Sequence, residues 1–132
     1  MNKKIFIIED NVNFLYGLQA KFSSEGFTIA TANGNESLIE LKRKVAESGA
    51  EYIILDIVLP KFDGFEVLHT LKADDHTAKL PVFIFSNLDD KDTREKCEKL
   101  GAEQFFKKHE LMLDEFVQKI IKIINNREKI KL

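Results

Sequence analysis

The chain of 132 residues contains no tryptophan and one cysteine, and its charges nearly cancel. The lone Cys97 has no partner for an internal disulfide, which fits a reducing compartment and sets aside disulfide-stapled secreted scaffolds. Its 20 basic and 22 acidic side chains leave a net charge of −2, which argues against a whole-surface nucleic-acid binder. No apolar run approaches the roughly 20 residues a membrane helix needs. The amino terminus enters a strand pattern almost at once, with no sign of a signal peptide. A cytoplasmic location is expected. The glycine loops that cradle phosphates, G-x-x-x-x-G-K-[ST] and G-x-G-x-x-G, are both missing, which counts against nucleotide and dinucleotide binding. The first strand does not end in a Ser/Thr/Gly-rich loop either, so flavin phosphate binding is not expected. Repeats, low-complexity segments and linkers are absent, and the length suits one domain with a substantial core.

What is present is an alternation. Tyr52-Ile53-Ile54-Leu55 runs straight into Asp56, and a continuous apolar run suits a strand buried on both faces. A charge cannot be hidden cheaply in such a strand, so Asp56 is expected at its carboxyl end, the edge where open α/β sheets bind ligands. The first strand, Lys4 to Ile8, stops at Glu9-Asp10-Asn11. A helix follows with Asp10 or Asn11 as N-cap and Val12, Leu15, Leu18 and Phe22 facing inward. Phe27 to Ala32 reads as a more polar edge strand. A second helix is expected from about Glu36 to Ser48, the third strand from Glu51 to Asp56, and a third helix from Phe65 to about Asp74. Val82 to Phe85 is a fourth strand ending at Ser86, with Pro81 suited to its first position. The fourth helix, about Asp90 to Leu100, is nearly all charge, with Cys97 and Leu100 inward, and is expected to be weakly anchored. Glu103 to Lys107 is a short fifth strand. The last helix is placed from about Met112 to Asn126, with a basic, solvated tail over 127–132. Five strands alternating with five helices imply a parallel sheet with right-handed crossovers and helices on both faces.

In such a sheet the strand tips share one edge. Glu9 and Asp10, Asp56, Ser86 and Lys108 would therefore converge. Each has an ordinary reading alone: a helix-start pair, a turn residue, a surface lysine. Together they describe an acid cluster with a hydroxyl and an ammonium beside it. Close carboxylates repel unless one takes a proton or a cation joins them. Mg²⁺ takes one or two carboxylates plus phosphate oxygens and waters, so the cluster suits a phosphoryl group, with one carboxylate as nucleophile.

At this point the residues resemble a family. Ile8-Glu9-Asp10-Asn11, Leu55-Asp56 through Pro60, Asp63-Gly64-Phe65-Glu66-Val67-Leu68, Phe85-Ser86, and Gly101-Ala102 through Phe105 to Lys108 are similar to the receiver domain of two-component response regulators, over about Lys3 to Ile124. The resemblance implies a flavodoxin-like (βα)₅ sandwich with a five-stranded parallel sheet of order 2-1-3-4-5, the order of the chemotaxis receiver that exemplifies a β1/β3 switch-point site, and a receiver domain over residues 1–126. It implies that Asp56 accepts a phosphoryl group from a sensor histidine kinase or phosphotransfer protein. Asp10, Asp56 and the Val58 backbone carbonyl would bind Mg²⁺, with Glu9 holding the metal through water. Lys108 would contact the phosphoryl oxygens, Ser86 would move to the phosphate, and Phe105 would turn inward as the switch aromatic. The signal would appear on the face of the fourth helix, fifth strand and fifth helix, to control a downstream target protein, and that face allows a homodimer. No output domain or direct nucleic-acid contact is expected within the chain, which reads as a stand-alone or excised receiver and not as an enzyme beyond its own phosphotransfer and dephosphorylation. A pseudo-receiver acting as an interaction module and a Mg²⁺-dependent phosphohydrolase are the alternatives.

Three departures from the family pattern stand out. His109 occupies the place of the usual proline after the lysine. A cis bond there would cost about 3–4 kcal/mol, so a trans bond or a strained loop is expected. Asn87 replaces a small residue after Ser86, adding bulk or a donor at the entrance. Val58 and Leu88 are apolar and cannot orient an attacking water, which implies slow loss of the phosphoryl group. His69 and His76 have no other candidate ligand near them.

Overall fold

The computed structural model describes residues 3–88 and 90–131. The elements are β1 (Lys4–Ile8), α1 (Val12–Ser24), β2 (Thr28–Ala32), α2 (Leu38–Ser48), β3 (Tyr52–Leu55), α3 (Gly64–Ala73), β4 (Val82–Ser86), α4 (Lys91–Lys99), β5 (Gln104–Lys107) and α5 (Leu113–Lys131). The strands form one parallel sheet in the order β2-β1-β3-β4-β5.

Side chains alternate across the sheet with the period of two that strands impose. Phe6, Ile8, Ile53, Leu55, Val82 and Ile84 face the layer of α2, α3 and Cys97 of α4. Ile5, Ile7, Tyr52, Ile54, Phe83 and Phe85 face α1 and α5. Every residue of β3 and β4 is buried, whereas β2 at the edge mixes exposed and half-buried positions and buries only Ala32. The helices start where short polar side chains can accept a backbone N–H. Asn11 Oδ1 accepts from Phe14 N at 3.0 Å, Ser37 caps α2, Asp63 caps α3 and Asp90 caps α4.

One open alternative is resolved and three local expectations are revised. Asn11, and not Asp10, is the cap of α1. Val12 is 55% exposed, while Phe14 and Leu15 of the same turn make the inward contacts, Phe14 on Phe85 and Leu15 in the core. Thr93 joins Cys97 on the buried side of α4, its hydroxyl donating to Asp90 Oδ2 at 2.7 Å. Most substantially, α5 continues past Asn126 to Lys131. Its last turns are tied down by partners far away in sequence. Glu128 Oε1 lies 2.9 Å from Lys3 Nζ, the Tyr52 hydroxyl donates to Glu128 Oε2, and Arg127 pairs with Glu103 at 2.9 Å. Leu132, the end of the expected tail, lies outside the described residues.

Candidate functional site

The sheet's hydrogen bonding runs one residue past three strands and thereby fixes three side chains at its carboxyl edge. Glu9 N donates to Ala32 O at 3.1 Å, Asp56 N to Ile8 O at 3.1 Å, and Lys108 N to Ser86 O at 3.0 Å. β1 and β3 are neighbours whose crossovers leave toward opposite faces, so Glu9 and Asp56 flank the switch point of the sheet. Both are almost fully buried, at 3% and 6% exposure, while Asp10 is open to solvent.

Lys108 spans the two buried acids. Its Nζ donates to Glu9 Oε1 at 2.5 Å and to Asp56 Oδ2 at 2.9 Å. The remaining carboxylate oxygens accept from the backbone: Glu9 Oε2 from Asn11 N at 3.1 Å, and Asp56 Oδ1 from Val58 N at 3.0 Å. Carboxylate oxygens of Glu9, Asp10 and Asp56 all lie within 4.8 Å of one another. Burial pushes the Glu9 carboxyl up, more than its hydrogen bonds to Lys108 and the Asn11 amide pull it down, and the charge of Asp56 adds to the rise. Burial alone would lower Lys108, but its hydrogen bonds to Glu9 and Asp56 outweigh it and hold the ammonium charged. Three acids against one base leave a surplus of negative charge in a cavity of about 230 Å³ lined by Glu9, Asp10, Asn11, Asp56, Val58, Asn87 and Lys108.

The other residues singled out in the sequence sit around this cavity or away from it. Ser86 is fully buried at the end of β4, its Oγ accepting from Leu88 N at 3.2 Å. Val58 lines the cavity and is 55% exposed, held by an isolated bridge to Asp63. Phe105 is half-buried on β5 under the Arg94 guanidinium, whose carbon lies 5.1 Å from the ring centre. It lines a groove with Arg94, Cys97 and Glu98 of α4 rather than the acid cavity. The Lys108–His109 peptide is trans, with no positive φ at either residue, and His109 Nδ1 lies 3.3 Å from Asn87 Oδ1. The sequence reading did not single out Phe14, whose ring lies beneath Lys108 Nζ at 4.4 Å. On α1 it carries only the signal of another apolar helix residue.

A doubly wound sheet of this order, with three acids and a lysine gathered at the switch point, defines a flavodoxin-like α/β protein with an acidic cluster at the carboxyl edge of its sheet. The family profile of the response regulator receiver domain matches residues 5–121. The chain is 34% identical over 111 residues to the chemotaxis protein CheV2 of Helicobacter pylori, which covers 83% of this chain and 36% of that protein. It is 33% identical over 109 residues to the polar-differentiation response regulator DivK of Brucella anthropi, covering 82% of this chain and 85% of that one. Among solved structures, the phosphorylated cyanobacterial phytochrome response regulator RcpA superposes with a TM-score of 0.79 at 26% identity, covering 93% of this chain and 91% of that one. A Francisella response regulator receiver domain shares the fold with a TM-score of 0.80 at 22% identity, over 96% and 99% of the two chains. This chain belongs to the response regulator receiver domain family of two-component signalling. It spans about a third of CheV2 and 43% of the regulator PhoP of Bacillus subtilis, which is 29% identical. Among the described residues, no helix is long and apolar enough to cross a membrane.

Proposed function

We propose that this receiver accepts a phosphoryl group on Asp56 from a phosphohistidine of a sensor kinase or phosphotransfer protein. A carboxylate oxygen of Asp56 attacks phosphorus, the P–N bond breaks, and the imidazole nitrogen leaves with the electron pair, giving an acyl phosphate. The observation that carries this reading is the position of Lys108 Nζ between Glu9 and Asp56, with Asp10 within 4.8 Å. An aspartate so placed is a nucleophile with an ammonium already beside it.

The donor set fits Mg²⁺. It is all oxygen, with two carboxylates buried and one exposed, as suits a hard cation that retains water. Asp10, Asp56 and the backbone carbonyl of Val58 would hold the ion, with Glu9 bonded through water. When bound, Mg²⁺ offsets charge on the transferring oxygens. Lys108 then exchanges its carboxylate partners for a phosphoryl oxygen. Ser86 turns its hydroxyl from Leu88 N to donate to another, and Phe105 moves inward into the space this opens. The change would reach a target protein through the α4–β5–α5 face, which also offers a route to a homodimer. Val58 and Leu88, exposed at 55% and 41% beside the entrance, have no group to orient water, so the phosphoryl group should persist. The domain completes one transfer per phosphorylation cycle and turns over no separate substrate.

Intact mass after acetyl phosphate with Mg²⁺ tests the reading. One added phosphate on the wild type and none on Asp56→Asn is expected. An unlabelled wild type would favour an interaction module without phosphotransfer, and steady phosphate release from small esters would favour a hydrolase.

A further inference from the structure

Lys108 has a third partner besides the two acids. Its Nζ stands 4.4 Å from the ring centre of Phe14, in the first turn of α1. That ring does not stand alone. It stacks on Phe85 at 5.1 Å and 30°, and Phe85 stacks on Phe116 of α5 at 3.7 Å and 5°. Phe116 meets Phe106 edge-on at 5.3 Å and 80°. Phe85 directly precedes Ser86, and Phe106 lies two residues before Lys108. The ring facing the ammonium is thus anchored through a column of aromatics to β4 and β5, the strands that lead into Ser86 and Lys108.

We propose that Phe14 is a positioning residue for Lys108 during phosphoryl transfer, an inference that rests on the acceptor reading above. In the resting site the ammonium is held by the same two carboxylates that transfer requires for other work, Asp56 as nucleophile and Glu9 toward the cation. Once they are engaged, Lys108 must let go of both and still remain in the cavity. An aromatic face attracts a cation through its quadrupole. It cannot take the proton, and it does not compete for the phosphoryl oxygens. Because the ring is fixed by its own stack, the ammonium can pivot over it toward the entering phosphate without escaping to solvent.

The test uses the full chain with Phe14 replaced by Leu, by Tyr, and by mono-, di- and trifluorinated phenylalanine, which weaken the ring quadrupole at nearly constant shape. Two quantities are read. The first is the initial rate of phosphorylation by phosphoramidate with Mg²⁺, by intact mass. The second is the proton shift of the Lys108 ε-methylene in metal-free protein. The rate should fall stepwise with fluorination, to about tenfold below wild type for the trifluorinated ring and for Phe14→Leu, while Phe14→Tyr stays near wild type. The ε-methylene protons should lose their upfield ring shift in Phe14→Leu. In a Lys108→Met background Phe14→Leu should cause no further loss. A labelled wild type with a flat fluorination series, or a Leu effect that persists without Lys108, overturns this proposal alone. A wild type that takes no phosphate overturns the acceptor reading and this proposal with it.

Discussion

A Cβ on Gly64 would stand 2.3 Å from the Cα of Ile57 and 2.7 Å from its carbonyl oxygen. α3 therefore begins in backbone contact with the segment that carries Asp56, and Gly64 N donates to that same Ile57 carbonyl at 2.7 Å. The atoms in the way are backbone, which cannot swing aside as a side-chain tip would. Gly64→Ala must push the β3–α3 segment outward or shift the helix. A loss of roughly 3 kcal/mol in urea unfolding is expected, at the upper end of overpacking costs. Slower phosphorylation should accompany it, because Val58 N no longer holds Asp56 Oδ1. An alanine variant with unchanged midpoint and rate would mean that the two segments are not locked together.

Asp10 is the one exposed member of the acid cluster, so removing its charge should not harm the metal-free fold. Asp10→Asn is expected to unfold within about 0.5 kcal/mol of wild type without metal. With Mg²⁺ at a hundred times its dissociation constant, the wild type should gain about 2.7 kcal/mol, or on the order of 10 °C in Tm for a domain of this size. The variant should gain little at the same concentration. Thermal unfolding with and without Mg²⁺ measures both. An equal rise in the two proteins would place the cation elsewhere.

Glu9 makes metal-free stability depend on pH. Burial raises its carboxyl above the ordinary value near 4.3, and its hydrogen bonds to Lys108 and Asn11 only partly offset this. A group whose folded-state pKa is raised contributes fully below the unfolded value and loses that contribution as pH rises through the folded value. Glu9→Gln should therefore gain in Tm relative to wild type as pH rises from about 4 to 7 in EDTA. In saturating Mg²⁺ the ranking should reverse, because the cation needs the ionised acid. A Tm difference between the two proteins that is constant with pH in EDTA would show that the ionised form of Glu9 is not disfavoured by folding.

The parallel sheet and the acid–lysine cluster were legible because both follow from short-range signals, whereas the strand order came only with the family resemblance. Apolar runs end in charges at Glu9 and Asp56, Lys108 follows the short fifth strand, and in a parallel sheet such endings share an edge. Phe14 was not legible as a neighbour of Lys108, because they are far apart in the chain and an apolar residue on α1 has the same signature whether it faces a core or a cation. Val12 misled for a related reason: helical periodicity marks a face to within a residue or two, and here Phe14 and Leu15 take the inward positions while Val12 is exposed. The end of α5 misled in the opposite direction. Asn125-Asn126-Arg127-Glu128-Lys129 has the local polarity of a solvated tail, and what keeps it helical comes from Lys3, Tyr52 and Glu103, none of which is nearby in sequence.

That last turn should matter to the whole domain. Tyr52 is 1% exposed and donates its hydroxyl to Glu128, which also pairs with Lys3. Glu128→Ala removes the acceptor of a buried donor and is expected to cost about 1–3 kcal/mol. Tyr52→Phe should cost about 1 kcal/mol or less, since Glu128 keeps Lys3. The double variant should be no worse than Glu128→Ala alone, because the buried hydroxyl leaves together with its partner. Burial, and then the bond to Glu128, push the Tyr52 phenol above its usual range. Its contribution is therefore present below about pH 10 and is lost as pH rises further, so Tyr52→Phe should flatten the alkaline decline. Ending the chain at Asn126 removes the Glu128 contacts and the Arg127–Glu103 pair together, and should lower the urea midpoint at least as far as Glu128→Ala does. A truncated protein with the wild-type midpoint would return residues 127–132 to the solvated tail that their polarity suggests.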